Sequence, residues 1–529
     1  MKEGFRQSMA WLHTWSGLVF GWLLFAIFLT GTLAYFKDET SHWMQPEIPV
    51  RALNAEASLT LAQHHLQRHA ADASRWVIDL PDARDPALTV RWQQAPAAPG
   101  ERGRFNRATL DARTGVAVQP RESAGGEFFY RFHFQLQMPY PWGRWLATAA
   151  AMVMFVALIT GIVTHKKIFK DFFTFRPRKG QRSWLDGHNA VGVLVLPFHL
   201  MITYSSLVIF MSMVMPASIL ATYGNDVRAF YQEVLPEVPL PERAGQPAAL
   251  SALAPLLVRA GEHWPGGQVA RVTVDNPGDA NAAVVMTRAS GDRVVYDYGR
   301  DLSFNGVTGQ LLGQTPEKSL PMAVAGGFYG LHMGRFAGAP LRWLYFFCGL
   351  AGTAMIGTGL MIWFGKRQLQ HAKKGAAPFG LRLVEVLNIA GMAGLVTAVA
   401  VFFWANRALP LDLPARAGWE VNAFFIAWGL SVAHAALRGG RQAWVEQLSA
   451  AAVLFAALPL LDWGTAGRYQ LAALEQGDWT LAGFDLTCLI AGLFLAWAAR
   501  KTRRAGLAVK AGRPRRETVR PAVLEQGTN

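Results

Sequence analysis

Six histidines at the ends of apolar segments, or inside them, are the residues whose type and spacing point most directly to chemistry. An ionisable side chain within lipid is costly, so each such residue is a functional hypothesis by default. Three are predicted at an inner, cytoplasmic level and three at an outer level: His13, His165 and His188, then His133, His199 and His332.

The spacing of His188 and His199 indicates what the two levels could bind. These residues lie eleven positions apart in a single apolar stretch. On one continuous helix, that spacing places both imidazoles within about 20° of the same face and roughly 16 Å apart along the axis. This arrangement predicts two ligands stacked across a bilayer, and a haem with axial histidines is expected at each level.

Cysteines and carboxylates narrow the metal chemistry further. The chain has two cysteines, Cys348 and Cys488, both in predicted spans, and it has no Cys-x-x-Cys-His motif. Covalent c-type attachment is therefore excluded, and the expected cofactors are two b-type haems. Carboxylates are scarce near the six histidines, which disfavours magnesium or calcium. Each level has one histidine more than a haem needs, so the pairing stays open, and the spare outer histidine could serve the substrate instead.

Composition indicates a polytopic α-helical membrane protein. The 529 residues are 52% hydrophobic and 16% charged, and the apolar residues occur in long runs. The net charge of +15 does not point to nucleic acid, because the lysines and arginines flank span ends, where they mark the cytoplasmic side. About eight spans with both termini in the cytoplasm are predicted, at 12–36, 145–165, 188–213, 341–363, 383–404, 419–437, 448–461 and 481–499.

The first two-thirds of the chain contain an internal repeat. Four pairs of motifs match in the same order: His13-Thr-Trp-Ser-Gly17 with His188-Asn-Ala-Val-Gly192, Leu110-Asp-Ala-Arg-Thr-Gly115 with Phe304-Asn-Gly-Val-Thr-Gly309, Tyr130-Arg-Phe-His133 with Tyr329-Gly-Leu-His332, and Arg144-Trp-Leu with Arg342-Trp-Leu. Each unit reads as a span, a small periplasmic α/β domain, an interfacial histidine and a second span. An axis along the membrane normal is therefore expected to relate the halves. His165 and His199 have no counterpart.

These features predict seven segments. They are a first span (1–36), a periplasmic α/β domain (37–141), spans two and three (142–215), a second periplasmic α/β domain (216–340), a fourth span (341–367), four further spans (368–504) and a disordered cytoplasmic tail (505–529). Spans two and three are joined by a basic loop that includes Lys166, Lys167 and Lys170. The four further spans suggest no chemistry of their own.

Six motifs carry a family resemblance: His13-Thr-Trp-Ser-Gly17, Thr30-Gly-Thr-Leu, Thr160-Gly161, His165-Lys-Lys-Ile-Phe-Lys-Asp-Phe-Phe-Thr-Phe-Arg-Pro, Trp184-Leu-Asp-Gly-His188 and Leu196-Pro-Phe-His199. On these motifs the chain resembles the PepSY-associated transmembrane-helix family from about Trp11 to Arg367. Within that family it looks like the iron-regulated siderophore-reductase branch, which includes the ferrioxamine reductase. The resemblance implies two small PepSY-like domains, haem at the matching histidines, a bacterial inner-membrane location and a ferric siderophore as substrate.

The combined expectation is an inner-membrane di-haem reductase that passes electrons to a periplasmic Fe(III)-siderophore and releases Fe(II). The siderophore is expected between the two periplasmic domains. Arg131 and Arg335 are expected to bind haem propionates, a use that we rank ahead of substrate contact because a haem already supplies an anionic partner. Tyr130 and Tyr329 are expected to contact the substrate.

The expected electron donor is inferred from the absence of a nucleotide-binding motif. No Gly-rich dinucleotide fingerprint occurs in a predicted cytoplasmic segment, so a separate cytoplasmic reductase or the quinone pool is expected to donate electrons. Membrane lipid is an expected partner and nucleic acid is not. Two alternatives stay open: a ferric-siderophore or iron transporter, which predicts polar residues along a path through the spans, and a non-enzymatic periplasmic sensor or protease modulator, which leaves the histidines unexplained.

Overall fold

A computed structural model of the chain describes residues 4–50, 54–94, 103–165, 172, 176, 179–238, 240–297, 299–371 and 378–511. The first repeat consists of α1 (Phe5–Ala34), α2 (Lys37–Met44), α3 (Ala55–His69), β1 (Arg75–Asp79), β2 (Leu88–Gln93), β3 (Phe105–Leu110), β4 (Ala117–Val118), α4 (Glu127–Gln135) and α5 (Trp142–Thr164).

The second repeat has the same order with three additional short helices. It consists of α6 (Gln181–Leu194), α7 (Leu196–Ile209), α8 (Met211–Val214), α9 (Ala217–Tyr223), α10 (Val227–Val234), α11 (Ala254–His263), β5 (Val269–Asp275), β6 (Ala283–Arg288), β7 (Asp301–Asn305), β8 (Leu311–Gln314), α12 (Leu320–Met333) and α13 (Ala339–His371). Four long helices follow: α14 (Phe379–Ala408), α15 (Arg416–Arg438), α16 (Gly440–Glu475) and α17 (Thr480–Ala511).

The chain is a multi-pass membrane protein. In the described ranges, seven helices are long and apolar enough to cross a membrane, namely α1, α5 and α13 to α17, and the bent pair α6–α7 makes eight if it counts as one span. The prediction of about eight spans is confirmed. We call the end of the bundle where α1 leads to α2 and the strands the sheet side, and the opposite end the loop side.

The predicted third span is not one continuous helix. α6 and α7 meet at Val195 and differ in direction by 68°. Pro197, in the first turn of α7, has no backbone N–H to donate to the carbonyl four residues earlier, and its ring clashes with that carbonyl. The prediction that His188 and His199 share one helix face is therefore wrong, because the two residues lie on different helices.

The two α/β units share a single antiparallel sheet. The strand order is β4-β3-β2-β1-β5-β6-β7-β8, which is symmetric about the β1–β5 pair. In that central pair, Ile78 lies opposite Val272. The order confirms the internal repeat, but the two units do not stand apart as separate domains. Edge pairing satisfies the free backbone groups that each four-stranded sheet would otherwise expose.

Other sequence boundaries shift in the structure. The short predicted span at 448–461 is part of the 36-residue helix α16. Helix α17 runs to Ala511, past the predicted start of the tail at residue 505. Lys166, Lys167 and Lys170 of the basic loop, and residues 512–529 of the tail, lie outside the described residues.

Candidate functional site

The outer histidine pair lies on equivalent helices of the two repeats. His133 is on α4 and His332 is on α12, and their ring centroids are 6.0 Å apart with 37° between the ring planes. Burial lowers the pKa of both imidazoles. Burial thus favours the neutral form of both rings, which is the form of histidine that binds a metal.

The inner pair repeats this arrangement towards the loop side. His13 on α1 and His188 on α6 have ring centroids 6.3 Å apart, with 69° between the planes. Along α1, His13 is 14 residues from Ile27, which contacts His133. At about 1.5 Å per residue, the two pairs differ in depth by roughly 20 Å.

The separation within each pair fits one metal ion between two imidazoles. Metal–imidazole bonds are about 2.0–2.1 Å long. An imidazole centroid lies about 1.15 Å beyond its ligating nitrogen, given ring bonds of about 1.3–1.4 Å. Two axial imidazoles on one metal therefore have centroids about 6.4 Å apart. The observed separations of 6.0 and 6.3 Å are close to this value.

The second nitrogen of each ring already has a protein partner. The Nδ1 contacts are His13 with Ala157 O (2.9 Å), His188 with Met355 O (2.9 Å), His133 with Ile27 O (2.8 Å) and His332 with Ser205 Oγ (2.9 Å). A metal-bound histidine almost always donates its other N–H in this way, which fixes the tautomer and the ring orientation. The contacts leave Nε2 as the ligating atom in all four residues.

Small residues stand directly against these imidazoles. A Cβ on Gly31 would lie 2.5 Å from His133 Nδ1, and one on Gly161 would lie 3.2 Å from His13 Cε1. A Cβ on Gly359 would lie 3.3 Å from His188 Cε1. The Thr160-Gly161 pair therefore has a structural counterpart in Thr358-Gly359. Histidine rings therefore pack directly against Gly31, Gly161 and Gly359.

The two histidines without repeat counterparts lie near the inner pair, because coulombic interactions link His165 to both His13 and His188, and link His199 to His188. His165 is the half-buried residue that ends α5. His199 is fully buried between Phe28 and Phe198, and neither ring nitrogen has a hydrogen-bond partner among the described residues. A buried, unpartnered polar group is costly. A bound group next to His199 would supply the missing partner.

A cavity of about 1100 Å³ leads from the outer pair towards the sheet. Its walls include His133, His332, Tyr130, Tyr329 and Arg335. The cavity continues between the two α/β units, where Asp82 to Asp85 of the first unit and Ala289 to Asp292 of the second line it. β1 and β5 join these units in one sheet, and the expected position of the substrate between them stays a prediction.

The predicted polar residues differ in their access to this cavity. Arg335 donates a hydrogen bond to Ser290 Oγ at 3.0 Å and contacts the cavity wall. Burial raises the pKa of Tyr329 above its usual range, so its phenol stays protonated and can donate. Arg131 is exposed and is not among the described residues that line the cavity.

Sequence reasoning missed a buried ionic group in the last four spans. Arg407 pairs with Asp462, and Arg416 pairs with Glu420, with all four side chains at most 1% exposed. The rule that marked the histidines, an ionisable residue in an apolar span, could have found Arg407 and Glu420. In the described residues no group of three or more His, Cys, Asp or Glu side chains is placed to hold a metal ion.

Comparison with known families agrees with the architecture described above. The family model described as PepSY-associated TM region matches residues 10–366, about two-thirds of the chain. The match contains all four paired histidines and ends before the last four spans. A comparison with curated proteins gives no significant match.

Proposed function

The chain belongs to the family of the PepSY-associated transmembrane region, and from that premise we propose that it is a haem-dependent ferric-siderophore reductase of the bacterial inner membrane. The observation that carries this proposal is the pairing of repeat-equivalent histidines at two depths, His13 with His188 and His133 with His332. Each pair has the centroid separation expected for two axial ligands on one metal.

These four residues would hold two b-type haems through their imidazoles. When bound, haem supplies one-electron transfer, and its potential depends on axial ligand, burial and neighbouring hydrogen bonds. The backbone carbonyls of Ala157, Met355 and Ile27 and the hydroxyl of Ser205 hold the Nδ1 atoms, which leaves each Nε2 as the atom that would bind the metal. The protein's contribution is thus a rigid and symmetric set of ligands.

The cavity beside the outer pair would take the ferric siderophore. Its volume of about 1100 Å³ exceeds the usual about 300–1,000 Å³ of a ligand pocket. The part lined by His133 and His332 would hold the outer haem, and the part lined by Tyr130, Tyr329 and Arg335 would take the chelate. Arg335 lines the cavity and can pair with a propionate or with an anionic group of the substrate. Reduction is sufficient to release the metal, since hard hydroxamate or catecholate oxygens bind Fe(III) much better than Fe(II).

The direction of electron flow follows from the placement of charge. Arginines and lysines such as Arg367, Arg438 and Arg441 lie at loop-side ends of spans, so the loop side would face the cytoplasm and the sheet the periplasm. Electrons from a cytoplasmic or quinone donor would then enter near His13 and His188. They would reach the substrate near His133 and His332.

Absorption spectroscopy of the purified protein tests this proposal. We expect low-spin b-type bands and two haems per chain in a pyridine haemochrome assay. Dithionite-reduced protein should then be reoxidised by a ferric siderophore, with Fe(II) collected by a ferrous chelator. Absence of haem from protein produced with ample iron and haem precursor would refute the proposal and favour the transport alternative.

A further inference from the structure

The helix that carries His133 is packed against the last four spans. Phe128, Phe129 and Phe132 of α4 are 2%, 0% and 3% exposed. Phe128 stacks on Phe402 of α14 at 4.6 Å, and it meets Phe424 of α15 edge-on at 5.0 Å between ring centroids. Aromatic contacts of this kind contribute beyond the apolar area that they bury.

The chain segment just before α4, residues 121–124, is also bound to the last four spans. We call it the anchor segment. Arg121 donates to the carbonyl oxygen of Asn406 at 3.1 Å, and Arg416 donates to the carbonyl oxygen of Glu122 at 2.8 Å. Ser123 Oγ and Ala124 N both donate to Glu420 at 2.9 Å. Every residue of the anchor segment therefore has a polar contact with α14 or α15, or with the turn between them.

Glu420 is the centre of this connection. Its carboxylate accepts from Ser123 and Ala124 of the anchor segment, and from Asn406 and Arg416 of the last four spans at 2.7 Å each. Glu420 and Arg416 are both fully buried. A buried charge pair with its remaining hydrogen-bonding capacity satisfied holds one geometry, since any displacement exposes an unpaired charge to an apolar surrounding.

The second repeat supports its equivalent helix differently. In α12, which carries His332, the residues buried within the described structure are Gly326 and Gly330. These glycines lie against the backbone of Tyr296 and Val294, which belong to the same repeat. The support of α4 by Phe402, Phe424 and Glu420 thus breaks the symmetry of the repeat, and it comes from a region outside the family match.

We propose that the last four spans hold α4 in place, and that Glu420 is a positioning residue for His133. This inference rests on the proposed function, in which His133 is an axial haem ligand. Glu420 does not touch His133. It fixes the start of α4, and the aromatic contacts of Phe128 and Phe132 fix the rest of the helix, so that His133 faces Ile27 and His332.

The test is the substitution Glu420→Gln in the full-length protein, which keeps the size of the side chain but removes its charge. Two readouts are needed: hydrogen–deuterium exchange of the α4 amides, residues 127–135, and electron paramagnetic resonance of the ferric haems. We expect faster exchange in α4 with no change in α12, and an altered resonance signal for one haem while the signal of the other haem is unchanged.

Glu446→Gln is the matched control. Glu446 belongs to the same four spans and is paired with Arg438 at 3.0 Å and His434 at 2.9 Å, but it lies at the loop side. It should change neither readout. Phe128→Leu is a second variant for use if Glu420→Gln does not fold, because it keeps the site apolar and removes the stacked ring. It is expected to change the same haem signal as Glu420→Gln.

The outcomes separate the two proposals. Wild-type protein without haem refutes the proposed function, and the exchange rates then decide alone whether the last four spans hold α4. If wild type carries two haems and both folded variants leave both haem signals unchanged, His133 is not positioned by these spans. Equal changes in both haems would also overturn the inference, because they indicate a general loss of packing.

Discussion

The substitution Gly31→Ala should remove the outer haem and leave the inner one. A Cβ at this position would lie 2.5 Å from Nδ1 and 2.6 Å from Cε1 of His133. Non-bonded heavy atoms are comfortable at about 3.5 Å or more. The imidazole would therefore have to move by about 1 Å, whereas metal–ligand distances hold to within about 0.2 Å.

The energetic effect can be estimated from the same contacts. Moving the ring breaks the 2.8 Å bond from His133 Nδ1 to Ile27 O, a hydrogen bond worth about 0.5–1.5 kcal/mol. Loss of such an outer contact typically weakens metal binding by about 10–100-fold even while the ligand stays in place. Alanine is about 1 kcal/mol better than glycine in a helix, so α1 itself should not be weakened. The loss should therefore be confined to the site.

The assay is the haem content and redox titration of the purified variant. We expect one haem per chain and loss of one of two redox transitions. Gly17→Ala is the matched control on the same helix, because nothing lies within 4 Å of its added Cβ. Gly161→Ala, with a closest approach of 3.2 Å to His13, should retain the inner haem after a shift of a few tenths of an ångström. A Gly31→Ala protein with two haems and unchanged potentials would refute the geometry argued for His133.

Three further predictions follow from other contacts. His13→Ala and His188→Ala should each lose the same single haem and give matching spectra, and spectra that differ would contradict the proposed pairing. Arg335→Ala should raise the KM for a ferric siderophore without changing the haem content. Arg107→Ala, at an exposed position on β3, is the control and should leave the KM unchanged. An unaltered KM in Arg335→Ala would exclude a substrate contact of Arg335. Arg407→Met leaves the buried carboxylate of Asp462 without its charged partner, so the variant should be less stable by about 3–5 kcal/mol. Denaturation in detergent measures this loss. A stability equal to wild type would show that the pair is not needed for folding.

Much of the fold was readable from local patterns. Long apolar runs predicted about eight spans, and a repeat of motifs predicted two equivalent halves, which the symmetric strand order confirms. The cause of the bend between α6 and α7 is also local, since Pro197 lies there, but the apolar run around Pro197 suggested one continuous helix. The sequence did not predict that the two α/β units form a single sheet, because the pairing of β1 with β5 joins two strand edges separated by almost 200 residues.

The candidate site divides in the same way. The sequence by itself determined that six histidines lie in or beside apolar spans, that four of them are repeat-equivalent and that His165 and His199 are not. Those facts depend only on residue type and order. Which histidines meet depends on how the helices cross, so only the tertiary structure decided the pairs His13–His188 and His133–His332. The contact of the last four spans with α4 also depends on the tertiary structure. It is made by side chains that are ordinary apolar residues in the sequence. These residues become specific only when Phe402 and Phe424 pack on Phe128.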